Sequence, residues 1–246
     1  MPLPIHVISL ARSAERKARF VDANRHIEFE VFPAVDGRQL PDTVLQDQEL
    51  FVQPLPALTR GAYGCALSHL RLWEKAIASE TALTIAEDDA VFRLDFVQAS
   101  EKLLTSLPED WDFVMWGWNF DSILSLMAMP DVAPTVMVFN QDALRANLAK
   151  YRTQTAPVHA LPLDKCFGTP AYSISPRGAR RFKDACFPMR DFKLEFPLLT
   201  HPMPNTGIDI AMNRIYASTR SFVCFPPLVV TENRHDISTV QQPGPA

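Results

Sequence analysis

The chain has 246 residues, 47% of them hydrophobic and 21% charged, with a formal net charge of −4. Those values exclude a disordered chain and give no general drive toward nucleic acid. With 21 prolines against 8 glycines, proline-braced loops are expected and glycine-rich phosphate loops are not.

Residues 4–10 (PIHVISL) read as a first buried strand. Ser13 can cap a short helix after it. Arg12 and Arg16 stand near the strand–helix turn, where anions bind in α/β folds, whereas Lys17 and Arg19 read as a solvated face. Residues 27–32 (IEFEVF) alternate apolar and acidic, the pattern of a half-exposed strand closed by the turn Val35-Asp36-Gly37. Residues 41–58 are polar and Pro-punctuated, an ordered loop. Across residues 58–77, Ala66, Leu70, Trp73 and Ile77 share one helical face, with Thr59 as the N-cap. Gly61 and Gly64 near the start of that helix admit another backbone or a ligand. Ser68 and His69 lie in its early turns, and a lone helical histidine is more often structural.

The helix leads into LTIAEDDAVF, residues 83–92, where three acids interrupt a strand-like run. Acids wedged among apolar residues lose hydration and need a partner, so a solvated turn or a metal at a strand's carboxyl end are the two readings. In an extended chain Glu87 and Asp89 point one way and Asp88 the other.

Residues 111–117 (WDFVMWG) read as another buried strand. Between 118 and 163 periodicity weakens. A short helix is expected over 141–151, and the segment is long enough to be a functional flap. Residues 171–175 suit a strand, and Ser175 followed by Pro176 starts a helix whose basic face carries Arg177, Arg180, Arg181 and Lys183. Solvation explains that face better than contact with an anionic acceptor or membrane does. Over 206–217, Thr206 can cap a helix with Asp209 three residues later, close to a capping box. Residues 221–225 (SFVCF) read as a late strand. The dispersed cysteines Cys65, Cys166, Cys186 and Cys224 are expected to be buried free thiols. No run approaches the ~18 apolar residues of a membrane span. The pattern is α/β, and ligands in such sheets bind outside the carboxyl ends of strands, where the acid triplet falls.

The ordered set VISLARSAER, FPAVDG, RGAYGCALSHLRLWEKAI, EDD and GTPAYSISPRGARRF, followed by an Asp before a helix, resembles glycosyltransferase family 25. That family includes bacterial lipopolysaccharide and lipo-oligosaccharide sugar transferases and the collagen galactosyltransferases. The resemblance covers roughly residues 5–240, with 118–163 unmatched. Thr84 and Ala86 stand where the family usually carries larger aliphatics. The resemblance implies a GT-A-like α/β fold: one Rossmann-type mixed sheet flanked by helices in a single domain over 1–246. About 1–117 would form the nucleotide-sugar-binding half and about 118–246 the acceptor half.

It also implies a UDP-sugar donor, inversion at the anomeric carbon, and a divalent cation, Mn²⁺ or Mg²⁺, held against the donor diphosphate. Asp89 and Glu87 would be metal ligands, with His235 a third from the C-terminal segment. Ser9, Leu10, Arg12, Arg16, Arg60, His69, Glu87 and Asp88 would make up the donor site. Asp209 would be the general base. Galactose is the expected sugar, with glucose second, moved onto a saccharide acceptor of lipopolysaccharide or lipo-oligosaccharide; a lipid-linked acceptor and a peripheral membrane contact fit the same picture. No nucleic-acid partner is expected, and the expected location is the cytoplasm, at the inner face of the inner membrane if lipid-linked. A non-catalytic nucleotide-sugar-binding module and a metal-dependent phosphohydrolase are the alternatives from other classes.

Overall fold

A computed structural model describes residues 2–129 and 132–234. In chain order the elements are β1 (Ile5–Ser9), α1 (Ala14–Ala23), β2 (Glu30–Pro33), α2 (Asp42–Leu45), α3 (Arg60–Ser79), β3 (Leu83–Glu87), β4 (Ala90–Phe92), α4 (Phe96–Thr105) and β5 (Phe113–Gly117). There follow β6 (Ile123–Met129), β7 (Ala133–Val138), α5 (Gln141–Ala146), α6 (Leu148–Arg152), β8 (His159–Cys166), β9 (Ala171–Ile174) and α7 (Pro176–Cys186). The last are β10 (Lys193–Leu194), β11 (Met203–Pro204), α8 (Ile208–Met212), β12 (Ser221–Phe225) and β13 (Val229–Thr231).

Among the described residues, nine strands form one mixed sheet in the order β2-β1-β3-β9-β5-β12-β8-β6-β7. The GT-A-like α/β expectation therefore holds. Strands β2, β1 and β3 are mutually parallel, and β9 runs antiparallel between β3 and β5. That inserted strand matters for the site. Its register pairs Ala86 with Ala171, so the loop entering β9 lies beside the carboxyl end of β3.

Alternation along the central strands sends side chains into two cores. On β5, Phe113 and Met115 face α3, α7 and α8, together with Trp73, Phe182 and Tyr216. Val114 and Trp116 face the other way, toward Phe20 of α1 and Phe96 of α4. Between the layers, Thr84 Oγ1 meets Ser173 Oγ at 2.8 Å, and Trp116 Nε1 donates to the same oxygen at 2.7 Å. A hydroxyl at Thr84 is thus satisfied where an aliphatic would remove one partner of the Ser173 hydroxyl.

The helix starts follow capping chemistry. Thr59 Oγ1 accepts from the Ala62 N–H, and Ser175 Oγ accepts from the Gly178 N–H with Pro176 behind it. Gly64 shows why α3 opens with glycine. A Cβ there would sit 2.4 Å from the Val35 carbonyl oxygen and 2.6 Å from the Gly37 nitrogen. Two backbones touch at that point, and the contact fixes the 34–37 segment as one wall of the site.

Several expectations need correction. The second strand is Glu30–Pro33 rather than 27–32, and the 41–58 loop contains a turn of helix at Asp42–Leu45. Ser13 precedes α1 but its side chain makes no capping bond. The helix over 141–151 is two helices broken at Asn147. The segment 118–163 supplies the hairpin β6–β7 and most of β8, three strands of the main sheet. Gly207, not Thr206, stands at the N-cap of α8. The basic face of α7 is answered within the chain: Arg177 and Arg181 pair with the buried Asp112, Arg180 with Glu80, and Lys183 with Glu74. All four cysteines are free thiols, and no helix among the described residues is long and apolar enough to cross a membrane.

Candidate active site

Two neighbouring cavities open at the carboxyl end of β1 and β3. The larger, of about 560 Å³, is lined by Arg16, Glu87, Asp89, Asn119, Thr169 and Asp209 among others. The smaller, of about 50 Å³, is lined by Leu10, Arg12, Ser68, His69, Glu87 and Asp88 among others. Arg16, Cys65 and Glu87 border both.

The acid triplet divides as expected, although a turn rather than strand alternation divides it. β3 ends at Glu87, and the turn Asp88-Asp89 leads into β4. Asp88 turns inward, is 8% exposed, accepts from Ser9 Oγ at 2.8 Å, and pairs with Arg16 at 2.6 Å. Ser9 is thereby occupied in holding Asp88. Glu87 and Asp89 both face the larger cavity. Glu87 accepts from Thr169 Oγ1 at 2.7 Å, while its backbone N–H donates to the Pro170 carbonyl. Asp89 lies 3.4 Å from Arg16 and has Thr231 as a neighbour on the cavity wall.

Electrostatically the wall is overloaded with negative charge. Burial, then the neighbouring Asp89, push the Glu87 carboxyl up to about 8, against partial relief from Thr169 and Arg16. Asp89 is also raised by burial, although 37% of its side chain stays open to solvent, which weakens the effect. The sign for stability follows. A carboxyl raised in the folded state contributes most below its unfolded pKa near 4.5, and that contribution is lost as pH climbs toward 8. Glu87→Gln is therefore expected to melt higher than the parent near pH ~8, with the difference vanishing near pH ~5. A melting difference that is the same at both pH values would contradict the assignment of that charge.

Asp209, on α8, also lines the larger cavity. Its Oδ2 accepts from the Gly168 N–H at 3.2 Å. Gly168 has φ +75, and a Cβ there would strike the Asn119 side chain at 2.3 Å, so glycine is required for this approach. Asn213 ties the base of the arrangement together, donating to the Asp209 and Cys166 carbonyls and accepting from the Cys166 N–H. Burial raises the Asp209 carboxyl, partly offset by backbone N–H donors at Gly168 and Ile210. The expected capping box with Thr206 is absent: the carboxylate reaches across to the loop before β9.

The remaining expected residues distribute unevenly. Leu10, Arg12 and Arg16 line the smaller cavity, and Arg12 pairs with Asp36 at 2.8 Å. Arg60 lines neither cavity. It pairs with Asp42 at 2.6 Å and donates to the Leu40 carbonyl, bracing the 40–42 loop. His69 is fully buried against Tyr172, with Nδ1 2.7 Å from the hydroxyl, and burial lowers its pKa to about 4. It stays neutral at the back of the small cavity. His235 lies outside the described residues. Sequence reasoning missed Thr169, Asn119, Thr231, Asn233 and Arg234, all of which line the large cavity. Thr169 sits inside the GTPAYSISPRGARRF motif, so a signal existed there; the tail residues carried none.

Which residues can hold a cation follows from this layout. Among the described residues, no three His, Cys, Asp or Glu side chains converge to form a metal shell by themselves. Glu87 and Asp89 offer hard oxygen donors at one wall, enough for a cation whose other ligands arrive with a substrate.

Comparison with known proteins adds the following. The family model described as "Glycosyltransferase family 25 (LPS biosynthesis protein)" matches residues 2–194. The match runs through 118–163, which the motif resemblance leaves out, and stops short of Asp209. A mouse protein named "Inactive glycosyltransferase 25 family member 3" is 34% identical over 182 residues, 65% of this chain and 30% of that protein. A "Glycosyltransferase 25 family member" of Aedes aegypti is 34% identical over 129 residues, covering 46% and 21% respectively. Human "Procollagen galactosyltransferase 2" is 31% identical over 128 residues, covering 46% and 20%. The chain thus spans under a third of the length of these curated relatives.

Proposed function

The chain belongs to glycosyltransferase family 25, and on that premise we propose that it is an inverting hexosyltransferase that takes a sugar from a UDP-sugar. The sugar is galactose by the name of one relative, with glucose second. The acceptor is a saccharide, which the family description associates with lipopolysaccharide. The observation that carries this reading is one cavity lined by Glu87, Asp89 and Asp209 together with Arg16, which lies 3.4 Å from Asp89.

The chemistry is a displacement at the anomeric carbon. An acceptor hydroxyl oxygen forms the new C–O bond, the C–O bond to the diphosphate breaks, and the hydroxyl proton passes to Asp209. A raised carboxyl pKa suits that role, because the base must hold a proton once taken. Arg16 and Arg234 line the same cavity and meet negative charge on the leaving diphosphate. Asp89 and Glu87 would hold Mn²⁺ or Mg²⁺, which when bound neutralises the diphosphate as a Lewis acid. Asp88 and Ser9 act one step back, keeping Arg16 in place. Volume also agrees, since about 560 Å³ admits a sugar diphosphate and part of an acceptor.

A second reading is favoured by one finding, the word "inactive" in the names of mammalian relatives: a module that binds a nucleotide sugar without turning it over. Incubating the protein with UDP-galactose and UDP-glucose, with and without lipo-oligosaccharide acceptor, separates the readings. Acceptor-dependent release of UDP supports the transferase. Binding without release identifies the module, and acceptor-independent hydrolysis of the diphosphate to UMP and a sugar 1-phosphate identifies a phosphohydrolase.

A further inference from the structure

The segment 118–163 contains a feature that the chemistry above leaves unused. Helix α5 lies against the last described residues of the chain. Gln141, only 6% exposed, donates from Nε2 to the Thr231 and Glu232 carbonyls, each at 3.2 Å. Its Oε1 accepts from the Phe120 N–H. Arg145 donates from Nε to the Glu232 carbonyl and from Nη2 to the Asn233 carbonyl, both at 2.8 Å. Its third nitrogen is held by Asp142 at 2.9 Å. Two side chains one helical turn apart thus grip three successive carbonyls.

Those carbonyls belong to residues with work at the cavity. The ladder between β13 and β4 ends where Thr231 pairs with Ala90. Past that point Asn233 takes a left-handed φ of 46 and donates its N–H to Thr231 Oγ1. Thr231 also stands beside Asp89 along the cavity wall. Thr231, Asn233 and Arg234 all line the large cavity. Gln141 and Arg145 take hold of the backbone where the ladder stops.

We propose that Gln141 and Arg145 are positioning residues: they hold the 231–234 turn as the part of the cavity wall that receives the donor diphosphate. The functional half rests on the donor-site reading above; the clamp itself rests on geometry alone. Arg145 is the safer site to alter, because it is partly exposed whereas Gln141 is buried.

The test uses the full chain with two measurements. In Arg145→Ala, hydrogen exchange of peptides covering 229–234 should speed up, while β1, β3 and β5 keep their protection. Titration of UDP with Mn²⁺ should give binding about tenfold weaker than in the parent. Arg145→Lys, which offers one nitrogen for two carbonyls, should fall between parent and alanine in both. Unchanged exchange in Arg145→Ala overturns the clamp. Faster exchange with unaltered UDP affinity overturns its functional role. If the parent itself binds no UDP, the donor-site reading fails, and the exchange arm still decides whether the clamp exists.

Discussion

Asp209→Asn is expected to lower sugar transfer by a factor of about 10²–10⁴, the range for losing a general base, while UDP binding stays within about twofold, since the base touches the acceptor rather than the donor. Asparagine can still accept from the Gly168 N–H, so the loop before β9 should keep its place. Stability gives a second reading of the same variant. Burial raises the Asp209 carboxyl, so its charge costs stability above its unfolded pKa, and removing that charge should leave melting at neutral pH equal or higher. A capping role makes the opposite forecast, a loss of ~1 kcal/mol with turnover retained. Activity of the parent should rise with pH as the carboxyl loses its proton, because only the ionised form accepts one.

The other large effect is expected at Asp89. Asp89→Ala should reduce transfer by about three orders of magnitude, or about 4 kcal/mol of transition-state stabilisation, and abolish any response of activity to Mn²⁺. Its fold should survive, because the wall would lose a charge that Glu87 and Asp88 both repel. Arg16 would keep its pair with Asp88. Asp88→Asn should behave differently: Asp88 holds Arg16 and Ser9 and faces away from the large cavity, so its loss should act through Arg16. Full activity of the parent in EDTA would remove the cation from the mechanism while leaving Asp209 untouched.

What the sequence disclosed and what it hid divide along physical lines. β1, β3, β5 and α3 were legible because their apolar patterns are strong and their caps local: Thr59 and Ser175 bond within their own first turns. The split of the acid triplet came out as alternation predicts, although Asp88 and Asp89 lie in a turn. Strands β6 and β8 were hidden for opposite reasons. β6 opens with four buried residues in a row, which periodicity cannot tell from a helix. β8 carries Pro162 and Asp164, which argue against a strand until Ser125 is seen to donate to Asp164 at 2.7 Å. At the site, Glu87 and Asp89 announced themselves as costly acids. Thr169 did not, because its proximity to Glu87 depends on β9 entering antiparallel beside β3. The tail clamp was invisible in principle, since Gln141 and Arg145 recognise backbone carbonyls that any residue would supply. Arg60 misled in the reverse sense: it sits in a recognisable motif yet serves the 40–42 loop.

The central claim is that Glu87, Asp89, Arg16 and Asp209 surround a site for a nucleoside diphosphate sugar and its cation. Thermal unfolding of the parent with UDP, with Mn²⁺, and with both tests it most directly, because a ligand that binds the native state raises its stability. UDP and Mn²⁺ together should raise the melting temperature by more than the sum of either alone, and Asp89→Ala should lose that excess. A melting temperature unmoved by UDP at saturating Mn²⁺, or an excess that persists in Asp89→Ala, would contradict it.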